Sequence, residues 1–179
     1  MTRLLSSYLI FLAISLFSCK SRSSSSRDTV EIAKSYGIIH GAFATTKRIQ
    51  EDFFAKATEA LATIKYDQDA IVDTKQLRHL LDSAKVASRQ RIEMLSLADE
   101  VDDEFMYKEK GLKYVSLLDT LYNNEFNQFA DILDSKAKDR FQQCQTLLLR
   151  RMQDMKKAMY DCHDAGEAVR EKYNIKVSD

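Results

Sequence analysis

Residues 141–173 read FQQCQTLLLRRMQDMKKAMYDCHDAGEAVREKY, and this stretch decides the fold. Phe141, Cys144, Leu148, Met152, Met155, Met159, Cys162, Gly166, Val169 and Tyr173 follow one another at intervals of three or four residues. An α-helix places such positions on one face, whereas a strand would scatter them over two. The stripe persists for roughly nine helical turns. A single short neighbour cannot cover a face of that length, so the stripe requires long partner helices.

The preceding sequence supplies them. A first helix is expected from Asp28 to Tyr66, with Ile32, Tyr36, Ile39, Phe43, Phe53, Ala57, Leu61 and Ile64 on its apolar face. Ala33, Gly37 and Gly41 lie four apart, a small-residue strip that would let another helix approach. The simpler expectation is that two glycines fray or kink this part of the helix. Asp73 followed by Gln76 resembles a capping box opening a second helix, whose Leu77, Leu80, Leu81, Ala84, Ala87, Ile92 and Leu95 run to about Ala98. A third carries Leu112, Val115, Leu118, Tyr122, Phe126, Phe129 and Leu133, and its register passes through Asn123-Asn124 unbroken. The fourth ends near Asn174, a residue type that tolerates the left-handed conformation of a helix C-terminus. Short polar connections at 66–73 and 134–139 make neighbours antiparallel. The expected fold is all-α, an antiparallel up-down four-helix bundle spanning residues 28–179. The alternative is a three-helix bundle with a frayed first helix.

Composition agrees with this architecture. The 179 residues contain no Pro, no Trp and only 4 Gly, so nothing forces a break in long helices. Lys plus Arg and Asp plus Glu are 27 each. That balance gives no net pull toward nucleic acid, and no element carries the basic excess of a nucleic-acid binder.

The N-terminus reads as an address. Arg3 is followed by the apolar run Leu4 to Phe17, and residues 1–18 have the layout of a secretory signal peptide. Leu16-Phe17-Ser18-Cys19 resembles a bacterial lipobox, in which the cysteine thiol accepts lipid; Phe17 stands where that motif usually has a smaller side chain. Residues 19–27 would then be a lipidated Cys19 followed by a Ser-rich flexible tether. Several acyl chains hold a protein on a membrane without spanning it. Lys20 follows the cysteine, where an Asp would resemble an inner-membrane retention signal, and this points to the outer membrane.

Together with the all-helical body and Lys172-Tyr173-Asn174-Ile175, these features resemble a family of small lipidated surface proteins of Gram-negative bacteria without assigned activity. The resemblance implies palmitate-type lipidation at Cys19 and a lipid-anchored place on the outer membrane, facing periplasm or cell surface. It carries over no other functional residue.

No catalytic or cofactor motif stands out in the sequence. A di-iron bundle uses Glu-x-x-His, but Gly37, Gln76 and Tyr160 precede His40, His79 and His163 by three. Cys162-His163 lacks the second cysteine of a c-type haem site. The acidic run Asp99-Glu100-Val101-Asp102-Asp103-Glu104 has neither the alternation nor the Gly of a calcium loop, and is read as a solvated turn and helix cap. His163 and Glu167, one turn apart, would share a proton or metal only as a departure from the plainer pattern of a core Cys162 beside a flank histidine. Cys144 and Cys162 are roughly 27 Å apart along one helix and cannot pair; both are read as structural.

The expected function is therefore that of a membrane-anchored envelope lipoprotein, not an enzyme and without a cofactor or metal. It would be a non-enzymatic binding or structural module with an envelope or extracellular protein as partner and no nucleic acid. Tyr66, Tyr107 and Tyr160, beside the stripes, are the candidate contact residues. The competing expectation is a binder of a small hydrophobic ligand or metal inside the bundle, using Met152, Met155 and Met159.

Overall fold

The computed structural model describes residues 29–176; Cys19, the signal segment and the tether lie outside the described residues. Helices α1 (Thr29–Tyr66), α2 (Lys75–Leu97), α3 (Tyr107–Asn123), α4 (Glu125–Asp134) and α5 (Arg140–Lys172) follow in order. α1 packs on α2 and α5, α2 on α3, and α3 and α4 on α5, which makes an all-α bundle of four arms. The arms alternate in direction. Asp134 at the end of α4 meets Thr74 and Arg78 at the start of α2, and Lys172 at the end of α5 meets Asp102 just before α3.

The third arm is two helices rather than the single one expected. At Asn124 the backbone turns to φ −118°, ψ −87°. The amide of Asn123 donates to the Asp119 carbonyl, and that of Asn127 to the Asn123 carbonyl. Such side-chain bonds compete with the helical ladder, and asparagine favours helix weakly. The apolar register nevertheless survives the break. Phe126 stacks on Phe53 with ring centroids 4.4 Å apart, and Tyr122 and Phe129 present edges to Phe53. An aromatic cluster of this size holds both halves of the arm against α1.

α1 runs unbroken over the expected small-residue strip. A β-carbon at Gly37 or Gly41 would meet nothing within 4 Å, so no close helix approach occurs there among the described residues. The close approach lies elsewhere, where the Tyr107 ring sits on Gly166 of α5. Met155 is buried with Cys144, Leu148, Cys162 and Val169 on the α5 stripe, while Met152 and Met159 border the core. The C-terminus closes as anticipated. Asn174 has φ 50°, and the N–H groups of Ile175 and Asn174 donate to the Arg170 and Glu171 carbonyls. This pair of bonds satisfies carbonyls that the helix end would leave free.

Candidate functional site: a clamped end loop

The end of α1 and its connection to α2 carry the two most exposed large apolar side chains among the described residues, Tyr66 at 88% and Ile71 at 97%. Arg140, the first residue of α5, reaches this connection from the side. Its side chain is buried. One Nη donates to the carbonyls of Leu133 (3.1 Å) and Ser135 (3.3 Å), and the other to those of Gln68 (2.8 Å) and Ala70 (2.5 Å). A guanidinium presents its donors in a rigid planar fork, so one side chain fixes two separate backbone turns.

Local bonds complete the loop. The Ala70 N–H donates to the Asp67 carbonyl, and the Asp69 N–H to the Asp67 carboxylate. The Asp73 carboxylate accepts the Lys75 N–H. The cap position itself is Thr74, so the expected Asp73–Gln76 box is not the device used. Thr74 instead donates its hydroxyl to Asp134 at 2.7 Å, and Arg78 pairs with Asp134 and Asp131. Burial alone would raise the Asp134 pKa, but hydrogen bonds from Arg78 and Thr74 hold its carboxyl below the usual range. Beside Ile71 a cleft of about 270 Å³ opens between the end of α1 and the start of α2, lined in part by Lys56, Glu59, Thr63, Val72 and Gln76. The result is an exposed Tyr–Ile pair on a backbone tied at both ends.

Of the three tyrosines singled out in the sequence, Tyr66 at the end of α1 and Tyr160 within α5 are exposed. Tyr107 is corrected: at 1% exposure it is core, packed against Tyr36 with centroids 5.5 Å apart. Its position at the very start of α3, ahead of the readable stripe, hid this. The Cys162–His163 reading holds, with Cys162 buried and His163 on the surface against Phe43. Glu167 bonds Arg170 rather than His163, and no group of three or more His, Cys, Asp or Glu among the described residues is placed to hold a metal ion. Burial pushes both Cys144 and Cys162 up to about 12, which leaves them as unreactive thiols at neutral pH.

The acidic run is only partly the solvated turn anticipated. Glu100 accepts the Lys108 and Glu109 N–H groups and so caps α3. The Asp102 carboxylate is only 7% exposed and ties the segment before α3 to the end of α5. It accepts from Lys172 Nζ (2.7 Å), the Tyr173 hydroxyl (2.6 Å) and the Glu104 N–H (2.8 Å). Burial alone would raise its pKa, but those three bonds outweigh burial and hold it at about 2. A carboxylate depressed in the folded state contributes stability above its unfolded pKa and loses it as pH falls through the folded one. Asp102 should therefore contribute about 1–2 kcal/mol that disappears between about pH 4 and pH 2. Urea midpoints measured across that range should fall less steeply for Asp102→Asn than for the unaltered chain; parallel curves would remove Asp102 from the account.

No family model, curated protein or solved structure matches this chain. Among the described residues no helix is long and apolar enough to cross a membrane.

Proposed function

We propose that the chain is a membrane-anchored envelope lipoprotein that binds another protein through the last residue of α1 and the loop after it, residues 66–74, without catalysis. The observation that supports the binding reading is the exposed Tyr66 and Ile71 on a loop clamped by the buried Arg140. An ordered loop loses little conformational freedom on binding, and exposed aromatic and aliphatic anchors on such a loop are what partner pockets take up. Position agrees with purpose. Lipid at Cys19 would tether the chain ahead of Thr29, at the opposite end of α1. That helix has 38 residues, which sets the loop roughly 55 Å away along its axis. The lipid anchor supplies the membrane attachment, in the outer membrane, and the bundle acts as a rigid spacer presenting its far end.

The test uses full-length chains recovered from gently solubilised envelopes. Both side chains are exposed, so a Tyr66→Ser/Ile71→Asp chain should melt like the original while losing its co-purifying protein by tenfold or more. Equal recovery would overturn the proposed contact. In the same cells, Cys19→Ser should leave the membrane fraction; a chain retained there would overturn the anchor.

A further inference from the structure

Four charges on the outer surface of α5 fall on a seven-residue spacing: Arg150, Lys157, Asp164 and Glu171. All four are exposed. None makes a side-chain ion pair or hydrogen bond among the described residues, although ion pairs elsewhere on the surface are common. The line they form runs over roughly 32 Å of helix and drifts only slowly around it. Beside it stand the exposed Leu149 and Tyr160. No other helix among the described residues covers this face.

The order of signs along the line is plus, plus, minus, minus. Two such helices laid parallel and in register would set every charge against its like. Laid antiparallel about a two-fold axis near Tyr160, they set Lys157 opposite Asp164 and Arg150 opposite Glu171, each pair occurring twice. Charges flanking a helix–helix seam decide orientation and partner in this way, and a two-fold contact needs only one self-complementary patch. An anionic membrane or an acidic partner would meet the basic half but be repelled by the acidic half. A second copy of this chain satisfies both.

We infer that α5 is a self-association face on which two copies pair antiparallel, with Lys157–Asp164 and Arg150–Glu171 as reciprocal ion pairs. The contact uses none of the residues at 66–74 and sets the two chain starts at opposite ends of the pair, so it joins copies anchored on opposed membranes and stands or falls separately from the proposed binding of another protein.

Sedimentation of the full chain in non-ionic detergent tests this. The unaltered chain should be in monomer–dimer equilibrium at low salt and shift to monomer as salt is raised, as exposed charge pairs require. Lys157→Glu alone and Asp164→Lys alone should each weaken the dimer about tenfold or more. The combined Lys157→Glu/Asp164→Lys chain should recover it. A monomer at every concentration would overturn the inference. So would a dimer indifferent to both single reversals, or a combined chain no better than either. A monomeric chain that instead floats with anionic vesicles through its basic residues would overturn it in favour of a lipid surface. Register has its own readout: in a Cys19→Ser background, Tyr160→Cys should cross-link between copies on oxidation and Gln145→Cys should not.

Discussion

Arg140→Met should lower the stability of the bundle by about 3–5 kcal/mol. Four backbone carbonyls, of Leu133, Ser135, Gln68 and Ala70, would lose their donors at once. Hydrogen bonds from a charged donor contribute about 1.5–3 kcal/mol each, and the expected total falls below their sum because loosened turns admit water. Methionine keeps most of the apolar stem, so the loss reports the guanidinium rather than a cavity. For a chain of this length the melting temperature should drop by about 10 °C. Arg140→Lys should recover only part of this, since an ammonium cannot span both turns as a planar fork does. A melting temperature within about 2 °C of the original for Arg140→Met would show that the clamp contributes little.

Gly166→Ala should cost about 2 kcal/mol, although alanine is the better helix former by about 1 kcal/mol. A β-carbon there would lie 2.9 Å from Cζ and Oη of Tyr107 and 3.0 Å from Cε2. The ring cannot simply retreat, because Tyr107 is buried and Tyr36 packs against it. Gly41→Ala is the matched opposite. Its β-carbon would meet open space on an exposed helix face, so the propensity gain is realised and stability should rise by up to about 1 kcal/mol. Two chemically identical exchanges with opposite signs, read from thermal melts, separate close packing from intrinsic propensity. If both stabilise, the Tyr107–Gly166 contact is softer than described.

The α5 stripe was legible because an unbroken period over 33 residues has no other physical cause than one long helix. The C-terminus was legible because Asn174 stands just past the last stripe residue, where a left-handed cap is wanted. The break at Asn124 was not, because the apolar register runs straight through it and the competing amide bonds appear only once Asn123 and Asn127 are placed.

Long-range partners were hidden for a different reason. Arg140 looks like a surface residue beside Phe141, and its acceptors Gln68 and Ala70 are backbone atoms about 70 positions away. The one available hint is that the connection 134–139 has no Gly or Pro to close it, so something else must satisfy its carbonyls. Asp102 was masked by four acidic neighbours in the same run, and only its contact with Lys172 and Tyr173 sets it apart. The exposure of Ile71 carries no sequence signal at all, since an isoleucine in a short connection is ordinarily folded inward.

The claim on which the rest depends is that the 67–74 loop is a preformed surface rather than a slack connection. Hydrogen exchange at the Ala70 amide tests it most directly, because that N–H donates to Asp67 while its own carbonyl is held by Arg140. In the unaltered chain this amide should exchange at least tenfold more slowly than an open loop amide, and Arg140→Met should abolish the difference. Exchange at the open rate in the unaltered chain would contradict the account, leaving Tyr66 and Ile71 as side chains on a loop that nothing holds in place.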